Sequence, residues 1–196
     1  MTRQIQFVTT NKGKYESART FFRNKKIGIE QISLSLPELR TDDIKKIAIQ
    51  KALYAFNEIQ EPIIVHDTGF YIDSLNGYPG FCVGYTLEKI GIEGLIKLLK
   101  RPSKASFVSY LGYMDKSLST PRIFQDTYSG TILNRIDGDR APFFWSDLFL
   151  SFIPANNSKT LAKFTELEFR KLEKSIESES CFYKFASWYL SKEDHE

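Results

Sequence analysis

The chain has 196 residues, 42% of them hydrophobic and 26% charged, a composition that excludes a disordered protein and gives enough length to bury a good core in one domain. Its 27 basic and 24 acidic side chains leave a net charge of +3, and because the two signs are interspersed no stripe for nucleic acid stands out. Cys82 and Cys181 lie far apart, without a Cys-x-x-Cys spacing or a partner histidine, which argues against a zinc site or a disulfide framework and fits reduced thiols.

In chain order, "MTRQIQFV" enters a strand-like run at once with no apolar leader, and no apolar stretch is long enough to cross a bilayer. The expectation is a soluble cytoplasmic protein with no membrane or nucleic-acid partner. "IQFV" reads as a buried strand, "TTNKGK" as the turn after it, and "YESARTFFRN" as a helix with apolar faces at three- and four-residue spacing. "RTDDIKKIAIQKALYAFNEI" is the clearest helix, capped by Thr41 or Asp42 with acids in its first turn. "PIIV" follows as a second buried strand, and "YTLEKIGIEGLIKLLK" as a helix whose continuity Gly91 and Gly94 weaken.

From Ala105 the texture changes: "SFVSYLGYMDK" and "RIFQDTYSGTIL" carry aromatic and β-branched residues at strand spacing around a polar turn, "SLSTP". After "FFWSDLFLSFIP" and the polar "ANNSK" come charged helical segments ending in "CFYKFASWYL". With no repeat or linker, the economical architecture is a mixed α/β sheet with helices around it.

Several residues have two readings. A strand-to-helix turn such as "TTNKGK" presents backbone N–H groups and the positive end of a helix dipole, which suits a phosphate with Thr9, Asn11, Lys12 and Lys14; it lacks the Walker spacing, and a plain basic turn has the same look. Lys51 lies inside the stripe Ile44, Ile47, Ala48, Ala52 and Ala55, so its ammonium either snorkels to solvent or points into a cleft. In "PIIVHDTG", Asp67 stands where a strand leaves the core, as a turn residue or a site residue. Glu38 alone is a surface glutamate; sharing a cleft with Asp67 it would make a carboxylate site for Mg²⁺. Asp73 is expected to face solvent and His66 to be structural. Phe143, Phe144 and Trp145 are either core or, with rings exposed, a slot for a planar base.

Taken together, these stretches resemble the inosine triphosphate pyrophosphatase family over residues 5 to about 162. "TTNKGK" is similar to the family's Thr-Gly-Asn-x-x-Lys, "LPEL" supplies Glu38, "AIQKA" supplies Lys51, and "HDTGFYIDSLNGYPG" resembles an acid-Asp-Ser/Thr-Gly-Leu pattern ending in Pro-Gly. "FFWSDLF" stands at the base-side motif.

The resemblance implies a mixed central sheet flanked by helices, in a single bilobed domain over 1–196 with an active-site cleft between its lobes, and a homodimer. It implies Mg²⁺-dependent hydrolysis of aberrant purine nucleoside triphosphates such as ITP, dITP and XTP to monophosphate and pyrophosphate. Asp67, at a strand end with Gly69 letting the chain turn away, would be the general base and, with Glu38, the metal ligand; Thr9, Thr10, Asn11, Lys12, Gly13, Lys14, Lys51 and Thr68 would contact phosphates or substrate. Phe143, Phe144, Trp145, Ser146 and Lys174 would surround the base.

The chain departs from the pattern in places. His66 replaces an acid, Gly84 a basic residue, and Phe144 and Ser146 a glycine and an aspartate, with Asp147 displaced by one. The terminal Lys-Asn-x-x-Ser-His-Arg signature is missing: Phe169 falls at its lysine, and Glu173, Lys174 and Ser175 at Ser-His-Arg. The alternative these departures raise is a catalytically weakened nucleotide-binding homologue with altered base specificity.

Overall fold

The computed structural model describes residues 4–37 and 41–193. Strands β1 (Gln4–Val8), β2 (Gly28–Ile32), β3 (Ile63–Ile72), β4 (Pro79–Gly80), β5 (Ser103–Met114), β6 (Arg122–Ile132) and β7 (Phe152–Pro154) form one sheet in the order β2-β1-β3-β5-β6-β7, with β4 paired to β3. Pairing is parallel for β2–β1–β3 and antiparallel for β3–β4 and β6–β7, so the sheet is mixed as expected. The helices are α1 (Lys12–Arg23), α2 (Ile44–Ile59), α3 (Val83–Lys97), α4 (Glu166–Ile176) and α5 (Cys181–Glu193). No helix among the described residues is long and apolar enough to cross a membrane.

The chain divides into two compact units. The first comprises Met1–Asp67, Ser109–Asp126 and Ser178–Glu196. Its core joins Ile5 and Phe7 of β1 and Phe22 of α1 to Phe185, Ala186 and Tyr189 of α5. The Phe22 and Phe185 rings meet edge-on at 5.6 Å. A smaller cluster packs Ala52 and Ala55 of α2 on Val8, Ile63 and Val65. Each large side chain enclosed this way stabilises the fold by about 1.5–3 kcal/mol relative to exposure.

The second unit comprises Thr68–Val108 and Thr127–Glu177. Its core is aromatic: Phe70, Phe107, Phe144, Phe149, Phe152 and Phe169 are all under a tenth exposed. A capping box at Thr165 and Glu168 starts α4, each side chain meeting the other's backbone N–H.

Three boundaries differ from the sequence reading, each for a local reason. α1 begins inside "TTNKGK", because Asn11 caps it by accepting the Lys14 amide through its side chain at 3.0 Å. α2 is capped by Asp43, whose side chain accepts the Lys46 amide, not by Thr41 or Asp42; its first turn holds no acid, and Thr41 instead accepts the Asp43 amide. β3 runs past "PIIV" to Ile72, because Phe70 and Ile72 continue the buried alternation and β4 gives Phe70 and Tyr71 partners.

The α2 stripe is buried at every named position, and α3 is broken at Gly91, with φ 65° and ψ 179°. Cys82 and Cys181 are not in disulfides.

Candidate active site

The centre of the site lies in the first unit, where β1 and β3 run parallel in register Gln6↔Ile63 and Phe7↔Ile64. β1 stops at Val8 while β3 continues, so His66 and Asp67 project past the end of their parallel neighbour. Asp67 is therefore within a strand rather than at a strand end. It occupies the carboxyl edge of the parallel pair all the same, the side of α/β sheets where ligands gather.

Lys51 points inward from α2. Its Nζ donates to Asp67 Oδ1 at 2.9 Å, and the two side chains retain only 13% and 18% exposure. The other carboxylate oxygen, Asp67 Oδ2, is buried and accepts no hydrogen bond among the described residues. A buried carboxylate with one lysine partner and one vacant acceptor is suited to a cation.

Lys14, in the first turn of α1, donates to the main-chain carbonyl of His66 at 3.0 Å. Burial pulls its pKa below the ordinary lysine range, opposed by the charge of Asp67 and reinforced by that of Lys51. An ammonium with a neutral acceptor and a second lysine close by favours an anion. The rest of the loop is shaped by its own bonds: Thr9 Oγ1 accepts the Asn11 amide, Thr9 O accepts from Gln31, and a Cβ on Gly13 would sit 3.3 Å from Asn11 Oδ1. Thr10, Lys12 and Gly13 are exposed, and Thr68 follows Asp67, half-buried.

His66 is structural, as expected. Its ring packs 4.8 Å from that of Phe182, its Nδ1 is buried without a partner among the described residues, and burial, with help from Lys14, lowers its pKa from 6.5 to about 3. Asp73 is exposed. The role of Gly69 is corrected. The chain does not turn there: a Cβ would lie 2.8 Å from the Tyr71 ring and 3.1 Å from the Gly80 backbone, so glycine lets β4 approach β3.

Glu38 lies outside the described residues. Among the described residues no three His, Cys, Asp or Glu side chains gather as a metal cluster. Asp67 fits Mg²⁺ nonetheless, since that ion is held by one or two carboxylates and takes its other ligands from water and phosphate.

The base-side residues belong to the second unit. Phe144 is core, 4% exposed, against Phe149 and Phe169. Phe143 is half-buried at its edge, and Trp145 is 57% exposed with its ring edge-on to Phe107 at 5.3 Å. Ser146 accepts the Leu148 amide and caps the 3-10 turn Asp147–Leu150. Asp147 is bound by Arg140. Phe169, at the place of the missing lysine, fills the aromatic core, and Lys174 is exposed on α4.

Sequence reasoning missed Tyr128. Its ring stacks on Phe107 at 6.4 Å and 26°, and its hydroxyl is buried with no partner among the described residues. The alternation of Phe124, Tyr128 and Ile132 along β6 is the signal that could have marked it.

The Ham1 family model matches residues 5–177. A Methanopyrus kandleri protein called dITP/XTP pyrophosphatase is 32% identical over 188 residues, 95% of this chain and 96% of that protein. Among solved structures, a HAM1 protein from Coxiella burnetii superposes with a TM-score of 0.73 at 18% identity, covering 96% of this chain and 99% of the other. A nucleoside-triphosphatase called dITP/XTP pyrophosphatase from Mycobacterium abscessus gives 0.69 at 18% identity, covering 88% and 94%. With its loop, its lysines and its aspartate assembled on the same architecture, the chain belongs to the Ham1 family, the grouping its motifs already resembled.

Proposed function

We propose that the protein hydrolyses purine nucleoside triphosphates to the monophosphate and pyrophosphate, with aberrant purines such as ITP, dITP and XTP as substrates and Mg²⁺ as cofactor. The observation that carries this reading is the half-satisfied carboxylate: Asp67 Oδ1 held by Lys51 and Oδ2 buried without a partner among the described residues. The full-length likeness to proteins called dITP/XTP pyrophosphatase supports the substrate class.

Asp67, joined by Glu38, would hold Mg²⁺, which supplies charge neutralisation on the phosphate oxygens when bound. The chain's own side chains supply the rest. Lys51 fixes the Asp67 carboxylate in one orientation, so its free oxygen is preorganised to orient and deprotonate the attacking water. Lys14 and the amide end of α1 take the phosphates, where positioning and fixed charge provide most of the rate.

The test is pyrophosphate release from ITP, dITP, XTP and the common triphosphates with Mg²⁺, for the wild type and Asp67→Asn. Release that Asp67→Asn abolishes supports the proposal. Nucleotide binding without release would establish the alternative, a binding homologue without turnover; orthophosphate as the only product would contradict the assigned chemistry.

A further inference from the structure

A lysine ammonium is a point charge on a flexible stem, so where it sits depends on the group that holds it and on what holds that group. For Lys14 the acceptor among the described residues is the main-chain carbonyl of His66, 3.0 Å away and 52 positions along the chain. Donor and acceptor belong to different elements, α1 and β3. The spacing of those elements therefore sets the position of the charge.

One ring touches both elements. Phe182, in the first turn of α5, packs 4.8 Å from the His66 ring of β3 at 43°. On α1 the same ring meets Phe22 edge-on at 5.5 Å and Phe21 at 5.9 Å. It is wedged between the helix that carries Lys14 and the strand that carries its acceptor. His66 stands where the resemblance expects an acid, and its ring gives Phe182 a flat face to pack on, which a carboxylate would not.

Phe182 is fixed in turn from β6. The Cys181 amide, one of the donors a helix start leaves without an internal partner, donates to Asp126 Oδ2 at 2.7 Å. Lys184 Nζ donates to the Gln125 carbonyl at 2.9 Å. The first turn of α5 is thus pinned to the sheet at positions before and after Phe182. All of these residues lie in the first unit.

We propose that Phe182, held by Asp126, is a positioning residue for Lys14, setting the spacing of α1 and β3 at which the ammonium is presented to the triphosphate. The inference rests on the reading of Lys14 as a phosphate contact, and it brings α5 into the working of the site. Phe182 acts through Lys14 and needs no contact with substrate. Since misplacing a charged group by about 1 Å can cost up to about a hundredfold, loss of the ring is expected to cost about tenfold.

The experiment is a double-mutant cycle on kcat/KM for pyrophosphate release from the triphosphate the wild type cleaves best, using Phe182→Ala, Lys14→Met and the pair, with Tm measured for each. Phe182→Ala should lower kcat/KM about tenfold when Lys14 is present and by less than about twofold when Lys14 is already replaced. Phe182→Tyr, which keeps the ring, should stay within about twofold of the wild type. Asp126→Ala loosens α5 without removing a ring; it should show the same dependence on Lys14 at a smaller scale, and it decides the question if Phe182→Ala does not fold. A merely structural ring would lower Tm and either leave kcat/KM alone or cut it by the same factor in both backgrounds, and either result overturns the inference while leaving pyrophosphatase activity in place. If the wild type releases no pyrophosphate from any triphosphate, the activity falls and the same cycle on the Kd of inorganic triphosphate decides the inference. If that anion does not bind at millimolar concentration, both fall.

Discussion

Lys51 Nζ sits 2.9 Å from Asp67 Oδ1, and no described residue meets the second oxygen of the same carboxylate. The pair joins a helix to the sheet and leaves its acid half used. Asp67→Asn is expected to lower pyrophosphate release at least about a hundredfold, the scale of a lost general base. It should also cost about 1–3 kcal/mol in urea melts, below the range for fully enclosed pairs because both groups keep some exposure. Wild-type turnover in this variant would remove Asp67 from the chemistry.

Lys14 predicts an alkaline limb. Its folded pKa lies below the usual lysine value, so its charge disappears as pH rises before that of ordinary lysines. The pH profile of kcat/KM, which reports the free enzyme, should decline on the alkaline side, and less so the profile of kcat, because bound phosphate restores the proton. Lys14→Arg keeps the charge throughout and should remove the limb; a limb that persists in that variant belongs to another group.

His66 governs acid stability. Unfolded, it takes a proton near 6.5; folded, only near 3. Between those values the unfolded chain binds a proton that the folded one refuses, so stability is full above 6.5 and falls as pH drops toward 3, with a slope of up to about 1.4 kcal/mol per pH unit. Denaturant melts at several pH values between these limits should show the slope. His66→Phe, which keeps a ring beside Phe182, should flatten it, and an unchanged slope would assign the effect elsewhere.

Two glycines in the second unit form a matched comparison. Gly69→Ala places a methyl 2.8 Å from the Tyr71 ring and 3.1 Å from backbone, and is expected to destabilise by about 1–3 kcal/mol. Gly84→Ala, in the first turn of α3 with nothing within 4 Å, is expected to be neutral or to stabilise by up to about 1 kcal/mol. Equal Tm values for the two variants would contradict the close packing of β4 on β3.

The inward lysine was half legible. The 3.6-residue period places Lys51 in a stripe that is buried throughout, while the choice between solvent and cleft depends on Asp67, a strand partner that no local pattern supplies. Asn11 as a cap was within reach, because an Asn followed by Lys-Gly-Lys can start a helix as readily as end a turn. The acceptor for Lys14 was hidden, since a main-chain carbonyl has no letter in the sequence. Three aromatics in a row, Phe143, Phe144 and Trp145, gave no sign of which would be enclosed; the 3-10 turn after Ser146 sets that, burying Phe144 and leaving Trp145 open. The run of β3 through Asp67 was obscured by Gly69, read as a place to bend when it is a place to pack.

The core of the first unit takes Ile5, Phe7 and Phe22 from early in the chain and Phe185, Ala186 and Tyr189 from late in it. On the ribosome this layer therefore stays incomplete until α5 emerges. A message cut short after Ile176 would yield a sticky, protease-prone fragment instead of a trimmed enzyme, and the cell's quality control would decide its fate before any nucleotide did.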